Sequence, residues 1–557
     1  MKLIIIGGVA GGASAAARAR RMSEQAEIIL FERGPDVSFA NCGLPYYLGG
    51  EIKERSKLLV TTPDKLRARF EIDVRVRTSV EKIDRANKLV YVRDLATNRE
   101  YTEQYDKIIL SPGAAPLRPN LPGIDLPGIY TLRNLQDTDH IKASLSERIK
   151  HAVVIGGGFI GLELIENFLK LGIETTLVEY NDQVLPPFDK EMTTPIVEAL
   201  RRRGANLLLG DAAESFAKSS EGIVVHLKSG KKLVTQLAVL GVGVRPENKL
   251  ALDAGLEIGK RGGIHVNAQM QTTDPDIYAV GDAVETTDFL FGGVTQIPLA
   301  GPANRQGRIA ADHALGRETR YRGTQGTAIV GVFEITAAMT GASEKWLRQN
   351  KRSFRAVHVH PANHASYYPG AEQMTIKLLF DPDNGRVLGG QVVGGSGADK
   401  RTDVLAMAIQ AGMTVFDLEE AELAYAPAYG SAKDPINMAG FVAANWIRGD
   451  HPQMGMGEWL ALPETDRPFL LDVRTPAEFE GGHLPGATNI PVDDLRKRLG
   501  EIPKDKEIAT YCQVGQRGYI ALRILMQSGY RAMNLSGGYK AYRLFVPEGK
   551  GESAKSK

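Results

Sequence analysis

Cysteine is almost missing from this chain: 557 residues contain two, Cys42 and Cys512. A secreted disulfide scaffold is thereby excluded, and a reducing, cytoplasmic setting is expected. Long apolar runs are missing as well. The most apolar stretch, residues 3–17, is broken by Gly7, Gly8, Gly11 and Gly12 and runs into Arg18, Arg20 and Arg21. That flank does not suit a secretory leader, and no run is long enough to cross a bilayer. An excess of either charge is missing too, since 68 Lys and Arg face 66 Asp and Glu for a net charge of +2. Neither nucleic acid nor a membrane surface is therefore expected as a partner. Each cysteine has to be weighed as a reactive thiol, because neither has an obvious partner.

Glycine, by contrast, is abundant at 60 residues, and its placement reveals an internal duplication. Residues 3–32 read as strand, Gly-rich turn, helix and strand, and residues 152–179 repeat the order, each ending in a glutamate. A chain this long needs several cores. Strand–turn patterns are also expected at 105–116, 239–246 and 272–285. A mixed region follows from 323 to about 445, with a strand at Thr375–Phe380 and an Ala-rich helix near 403–412. A Gly-, Pro- and Met-rich linker is expected at 448–457, a short α/β unit at 458–548, and a polar, disordered tail at 549–557.

Gly156, Gly158 and Gly161 complete a GxGxxG turn between strand and helix. The first glycine permits the turn, the second lets backbone approach a pyrophosphate, and the third lets helix pack on strand. The helix N-terminus offers N–H groups to the phosphates. Glu179, ending the next strand, would accept ribose hydroxyls and repel a 2′-phosphate, which favours NADH over NADPH. The first unit departs from this pattern, because Val9 stands at the middle position between Gly7 and Gly12. Glu32 nonetheless keeps the ribose spacing, and Asp282 in YAVGDA places a carboxylate at a strand end, suited to a flavin ribityl hydroxyl.

These features resemble the pyridine nucleotide–disulfide oxidoreductases over residues 1 to about 447. The resemblance implies an α/β chain with two Rossmann-like domains and an α+β dimerisation domain. FAD would occupy 1–148 with 249–322, NAD(P)H 149–248, and the dimerisation domain 323–447. It implies FAD contacts at Gly7, Gly12, Glu32, Arg33, Val80, Gly113, Arg133, Gly281, Asp282 and Ala300. Nicotinamide nucleotide contacts would fall at Gly156, Gly158, Gly161, Glu179 and Gly243.

Many members carry a CxxxxC pair, but in SFANCGLPYY Tyr47 stands where the second cysteine would be. Cys42 must then cycle through a mixed disulfide, a persulfide or a sulfenic acid. Its place near a helix start and against a flavin is expected to favour the thiolate. This motif resembles the coenzyme A-disulfide reductases and their persulfide-reducing relatives. The likeness implies a homodimer in which Tyr367 and Tyr425 reach the partner's Cys42 as proton donors. It also implies coenzyme A contacts at Ser14, Arg18, Arg21, Ser38, Asn41, Asn304 and Lys433. Arg18 and Arg21 share a helix face, which suits a polyphosphate or, equally, plain solvation.

Residues 458–548 resemble the rhodanese fold. Cys512 opens the loop CQVGQR between a strand and a helix, where backbone N–H groups and Arg517 would stabilise a thiolate or persulfide. The expected activity is NAD(P)H-dependent reduction of coenzyme A persulfide, polysulfide or coenzyme A disulfide, with the C-terminal domain handling sulfane sulfur. An NADH peroxidase or oxidase using a Cys42 sulfenic acid is the alternative. The His358-x-His360 pair is read as strand residues, and no metal is expected.

Overall fold

The computed structural model describes residues 1–145 and 149–547; the expected tail at 549–557 lies outside them. Two compact units form: Met1–Asp182 with Gly204–Gln325, and Gln183–Arg203 with Gly326–Lys557. No helix among the described residues is long and apolar enough to cross a membrane.

The first unit holds two parallel five-stranded sheets, one per copy of the duplicated pattern. One runs Ile277–Ala279, Lys107–Leu110, Lys2–Ile6, Glu27–Glu32, Asp73–Val76. The other runs Asn206–Leu209, Glu174–Glu179, His151–Ile155, Leu237–Leu240, Ile129–Thr131. Strands covered on both faces need no polar alternation, so Leu3, Ile4, Ile5, Ile108, Ile109 and Ile277 are all fully buried. The helices Ala10–Met22 and Phe159–Lys170 follow the first strand of each motif.

The second unit contains a five-stranded antiparallel sheet, Ala328–Val332, Ile335–Gly341, Val387–Gly394, Thr375–Phe380, Arg355–Val359. The Ala-rich helix covers Ala398–Ala411, starting earlier than its expected place near 403. A parallel sheet completes the unit, in the order Gln453–Met454, Ala532–Leu535, Ile508–Tyr511, Phe469–Asp472, Thr488–Asn489. Its edge strand lies inside the stretch expected as a linker. Gln453 pairs with Asn534 and Met456 is fully buried, so 453–457 belong to the domain rather than to a spacer.

Candidate active sites

The two glycine turns are duplicates in detail. Gly7 and Gly156 have φ of +99° and +108°. A Cβ on Gly7 would overlap the Ser111 carbonyl oxygen, and one on Gly156 the Gly241 carbonyl oxygen. Gly12 and Gly161 are pressed in turn against the carbonyl oxygens of Gly7 and Gly156. The terminal carboxylates also match. Glu32 accepts from Gly8 N at 2.8 Å and Gly34 N at 2.7 Å, and Glu179 from Gly157 N at 2.6 Å and Asn181 N at 2.7 Å. Gly158 is the exception, extended at φ −78° with open space where a Cβ would stand. Val9 shares that backbone at φ −98°. A glycine at the middle position is thus not a folding requirement, which explains how valine is accommodated there. Neither helix has a side-chain N-cap, so the first-turn N–H groups have no such acceptor and suit phosphate oxygens.

The other residues implied to hold a flavin lie in the same unit and fit that group. Gly113 has φ +74° with nothing near its Cα face, and Gly281 has φ +80° and donates to Gln306 Oε1 at 2.8 Å. The Asp282 carboxyl is pushed up by burial, with Arg133 pulling it back. Arg33 and Arg133 both bind Glu247, each at 2.7 Å. Sequence reasoning missed Glu247, whose only signal was a carboxylate closing the VRP turn. Val80 packs half-buried on the core of this unit, Gly243 accepts from Leu117 N at 2.8 Å, and Ala300 opens the helix Ala300–Ala314.

The coenzyme A candidates divide. Ser14 Oγ and Asn304 Oδ1 meet at 2.5 Å, and Asn41 Nδ2 donates to Arg133 O at 3.3 Å. Ser38 takes the left-handed conformation, φ +49°, and donates to Gly8 O. The expectation that Arg18 and Arg21 form one basic face needs correction. Arg18 is buried with Nε on Asp312 at 2.5 Å and one guanidinium nitrogen unpartnered, whereas Arg21 is exposed. Asp312 draws Arg18 inward. Lys433 is exposed in the second unit.

Cys42 is an exposed free thiol in the single 3₁₀ turn Asn41–Gly43, ahead of the five-residue helix Leu44–Leu48. The expected bias toward thiolate is not what the protein's own groups supply. Packing around the sulfur pushes its pKa up, and the carboxylates of Glu163 and Asp282 add to this. A helix this short contributes little opposing dipole. Glu163, on Phe159–Lys170, accepts from Tyr46 Oη at 3.4 Å, and burial raises its own pKa to about 7. Sequence reasoning missed both Glu163 and Tyr46; the only signal was a carboxylate embedded in an apolar helix. Lys142 Nζ sits 3.6 Å over the ring of Tyr47, the residue at the position of the missing second thiol.

In the second unit the hydroxyls of Tyr367 and Tyr425 meet at 2.9 Å. Tyr367 is 74% exposed, and its bond to Tyr425 raises its pKa. Tyr368 and Tyr429 are exposed beside them.

Cys512 directly follows the strand Ile508–Tyr511 and is 1% exposed. Gly515, at φ +109°, donates its N–H to Cys512 Sγ at 3.1 Å, and the helix Gln516–Gln527 begins directly after it. Arg517 forms two bonds with Glu478, at 2.7 and 2.6 Å, and its guanidinium also interacts with the Cys512 sulfur. Glu478, not anticipated from sequence, is pulled down to about 2 by Arg517. Asp472 and Arg474 form a buried pair at 2.6 Å, as befits a structural role.

His358 lies on Arg355–Val359 and His360 directly follows it; both are 5% exposed. A further charged cluster lies nearby in the same unit. Asp189, Glu191 and Glu344 surround Lys377 Nζ at 2.9, 2.5 and 2.7 Å, so an ammonium occupies the centre of the three carboxylates.

Comparison with known proteins agrees with the domain organisation. Residues 1–307 match the family model described as pyridine nucleotide-disulphide oxidoreductase. Residues 327–434 match that family's dimerisation domain and 457–544 a rhodanese-like domain. A coenzyme A disulfide reductase of Staphylococcus aureus (strain JH9) is 36% identical over 445 residues, 79% of this chain and 99% of that protein. The structure of reduced CoADR-RHD of Bacillus anthracis superposes with a TM-score of 0.96 at 48% identity, covering 98% of each chain. A NAD-dependent persulfide reductase of A. fulgidus gives 0.90 at 35% identity, covering 98% of this chain and 100% of that one. With its paired glycine turns, its lone thiol and its matched domains, the chain belongs to the pyridine nucleotide–disulfide oxidoreductases and carries a rhodanese-like domain at its C-terminal end.

Proposed function

We propose that the protein is a flavin- and NADH-dependent reductase of coenzyme A persulfide, with coenzyme A disulfide and polysulfide as related substrates. The observation that carries this reading is the distribution of two thiols, one alone and exposed at Cys42, the other buried in a six-residue loop at Cys512. FAD is assigned to the cradle of Gly7, Gly12, Glu32 and Asp282, and NADH to that of Gly156, Gly161 and Glu179. A flavin bound there would carry the electron pair from nicotinamide to sulfur.

The chain's own groups define the rest. The Cys42 thiolate attacks the coenzyme A sulfur of the persulfide, the S–S bond breaks, and hydrosulfide leaves. The resulting mixed disulfide takes up the electron pair, which restores the Cys42 thiolate and frees the coenzyme A thiolate. In sum, one persulfide and NADH with one proton give coenzyme A, hydrogen sulfide and NAD⁺. The Tyr367–Tyr425 pair, supplied by the partner in a homodimer, donates the proton to the leaving thiolate. Ser14, Ser38, Asn41, Asn304, Arg21 and Lys433 are assigned to coenzyme A, while Arg18 is held by Asp312.

At the second thiol, Cys512 attacks a sulfane donor such as thiosulfate, releasing sulfite and keeping the outer sulfur as a persulfide. The coenzyme A thiolate then removes that sulfur and becomes the substrate of the first site. A shared chain raises the local concentration of this intermediate.

Steady-state turnover of NADH tests the reading. Coenzyme A persulfide should outpace hydrogen peroxide, and Cys42→Ser should lower the persulfide rate at least about a thousandfold. Faster turnover of peroxide would replace this reading with a sulfenic acid mechanism.

A further inference from the structure

The loop that holds Cys512 is braced from outside its own domain. The turn Leu535–Ser536–Gly537–Gly538 lies between the Cys512 loop and the free edge of the antiparallel sheet. On the loop side, Tyr539 N donates to Cys512 O at 2.7 Å and Lys540 N to Gln513 O at 2.9 Å. A Cβ on Gly538 would overlap the Cys512 carbonyl oxygen. On the sheet side, His358 N donates to Ser536 Oγ at 3.0 Å, so the edge strand spends an outward N–H on this turn. Gly537, at φ +74°, is pressed so closely that a Cβ there would stand 2.9 Å from His358 Cβ and 3.0 Å from His360 Nε2.

Both histidines are ring-buried at this seam, and neither has a role in the chemistry described above. His360 Nδ1 is held by Thr375 Oγ1 at 3.0 Å, which aims Nε2 at the Gly537 backbone. The His358 ring stands edge-on to Phe545, with Nε2 3.4 Å from Glu191 Oε1. Two outer struts bind the same C-terminal helix, Gly538–Phe545. Lys540 Nζ reaches Gln373 Oε1 at 2.7 Å, and Thr194 Oγ1 donates to Leu544 O at 2.7 Å. Close packing transmits small displacements, so a shift of His360 reaches the Cys512 carbonyl through Gly537, Gly538 and Tyr539.

We propose that His358 and His360 are positioning residues for the Cys512 loop, so that the sheet of the dimerisation domain sets the geometry of the sulfur-carrying thiol. The inference rests on the reading of Cys512 as a sulfur carrier. It makes the C-terminal domain dependent on its neighbour rather than a free-standing appendage. His360 has to stay neutral to fit. Burial drives its pKa well below the ordinary value, with Lys540 and His358 adding to this and the Gly537 backbone opposing it, while His358 faces Glu191, itself paired with Lys377.

The test uses full-length holoenzyme carrying His360→Leu, His360→Gln or Ser536→Ala. Thiosulfate-to-thiol sulfur transfer is measured as kcat and KM separately. Cys512 alkylation by iodoacetamide is followed in a Cys42→Ser background, where it is the one remaining thiol. His360→Leu should lower kcat at least about tenfold with KM little changed. Ser536→Ala should lower it less, and His360→Gln, which restores a polar atom, should recover most of the loss. The alkylation rate of Cys512 should change in step. With Cys42 intact, NADH-driven reduction of coenzyme A disulfide should be unaffected, which reports on folding. Wild-type kcat and alkylation rates in both His360→Leu and Ser536→Ala would overturn the inference. A wild-type enzyme that transfers no sulfur would instead overturn the sulfur-carrier reading, and alkylation would still report on the brace. Should His360→Leu fail to fold, Ser536→Ala removes a single hydroxyl and decides the matter.

Discussion

At the scale of single residues, the most consequential group is one that the sequence did not advertise. Glu163 sits in the helix Phe159–Lys170 with a pKa near 7, and its negative charge is one of the forces holding the Cys42 thiol protonated. Above pH 7 the carboxylate is ionised and opposes thiolate formation; below it the proton neutralises the carboxylate and the opposition fades. In Cys512→Ser enzyme, Glu163→Gln should therefore speed Cys42 alkylation by about three- to tenfold just above neutrality. The difference should shrink below pH 7 and at strongly alkaline pH; a uniform ratio across the range would mean that Glu163 acts through packing instead. The two cysteines were legible because their motifs are local in the chain. Glu163, Glu247 and Glu478 were not, because each gains its meaning from a partner 39 or more residues away: Tyr46, the Arg33 and Arg133 pair, and Arg517.

At the scale of elements, the duplication was legible down to the role of each glycine, since strand, turn and helix are set by neighbours in sequence. It yields a pair of opposed predictions. Gly12→Ala places a methyl against the Gly7 carbonyl oxygen, and Gly161→Ala does the same at Gly156. The first variant should purify depleted of flavin. The second should keep its yellow colour but reduce slowly with NADH, with a raised KM for NADH as the readout. What the sequence concealed was the packing of Lys190–Arg202. Its Glu191, with Asp189 just before it, closes on Lys377 from a strand far along the chain. The two carboxylates and Glu344 hold the Lys377 ammonium charged, and it in turn keeps Glu191 and Glu344 ionised. Removing one partner leaves buried charge uncompensated, so Lys377→Ala should cost about 3–5 kcal/mol in urea unfolding of the second unit. Glu191→Gln should cost less, because two carboxylates remain. The linker expected at 448–457 misled for a similar reason. Gly, Pro and Met look like a spacer, but the two-residue strand Gln453–Met454 is specified by its partner, Ala532–Leu535.

At the scale of the whole molecule, the order of domains could be read from motifs, whereas assembly is written in surfaces. The Tyr367–Tyr425 hydroxyl pair faces solvent in the single chain, and Cys42 lies in the other compact unit. If the tyrosines of one protomer serve the thiol of its partner, two inactive chains can complement each other. Cells co-expressing Cys42→Ser with the Tyr367→Phe/Tyr425→Phe double variant should yield about a quarter of wild-type activity, from one intact site in each mixed dimer. Separately purified variants, assayed without exchange of subunits, should give almost none. Complementation that fails although mixed dimers form would place the tyrosines elsewhere in the cycle.

The excursion of Gln183–Arg203 into the second unit also bears on how such a chain can be dismantled. A gene fragment starting at Gly326 would encode both the antiparallel sheet and the sulfur-carrying loop. It would nevertheless lack Asp189 and Glu191, leaving Lys377 with Glu344 as its remaining carboxylate, and Thr194 absent from the last helix. The C-terminal half is therefore not a transplantable module at that boundary. Recombination or truncation that respects the linear domain order would break a core that the folded chain closes by doubling back.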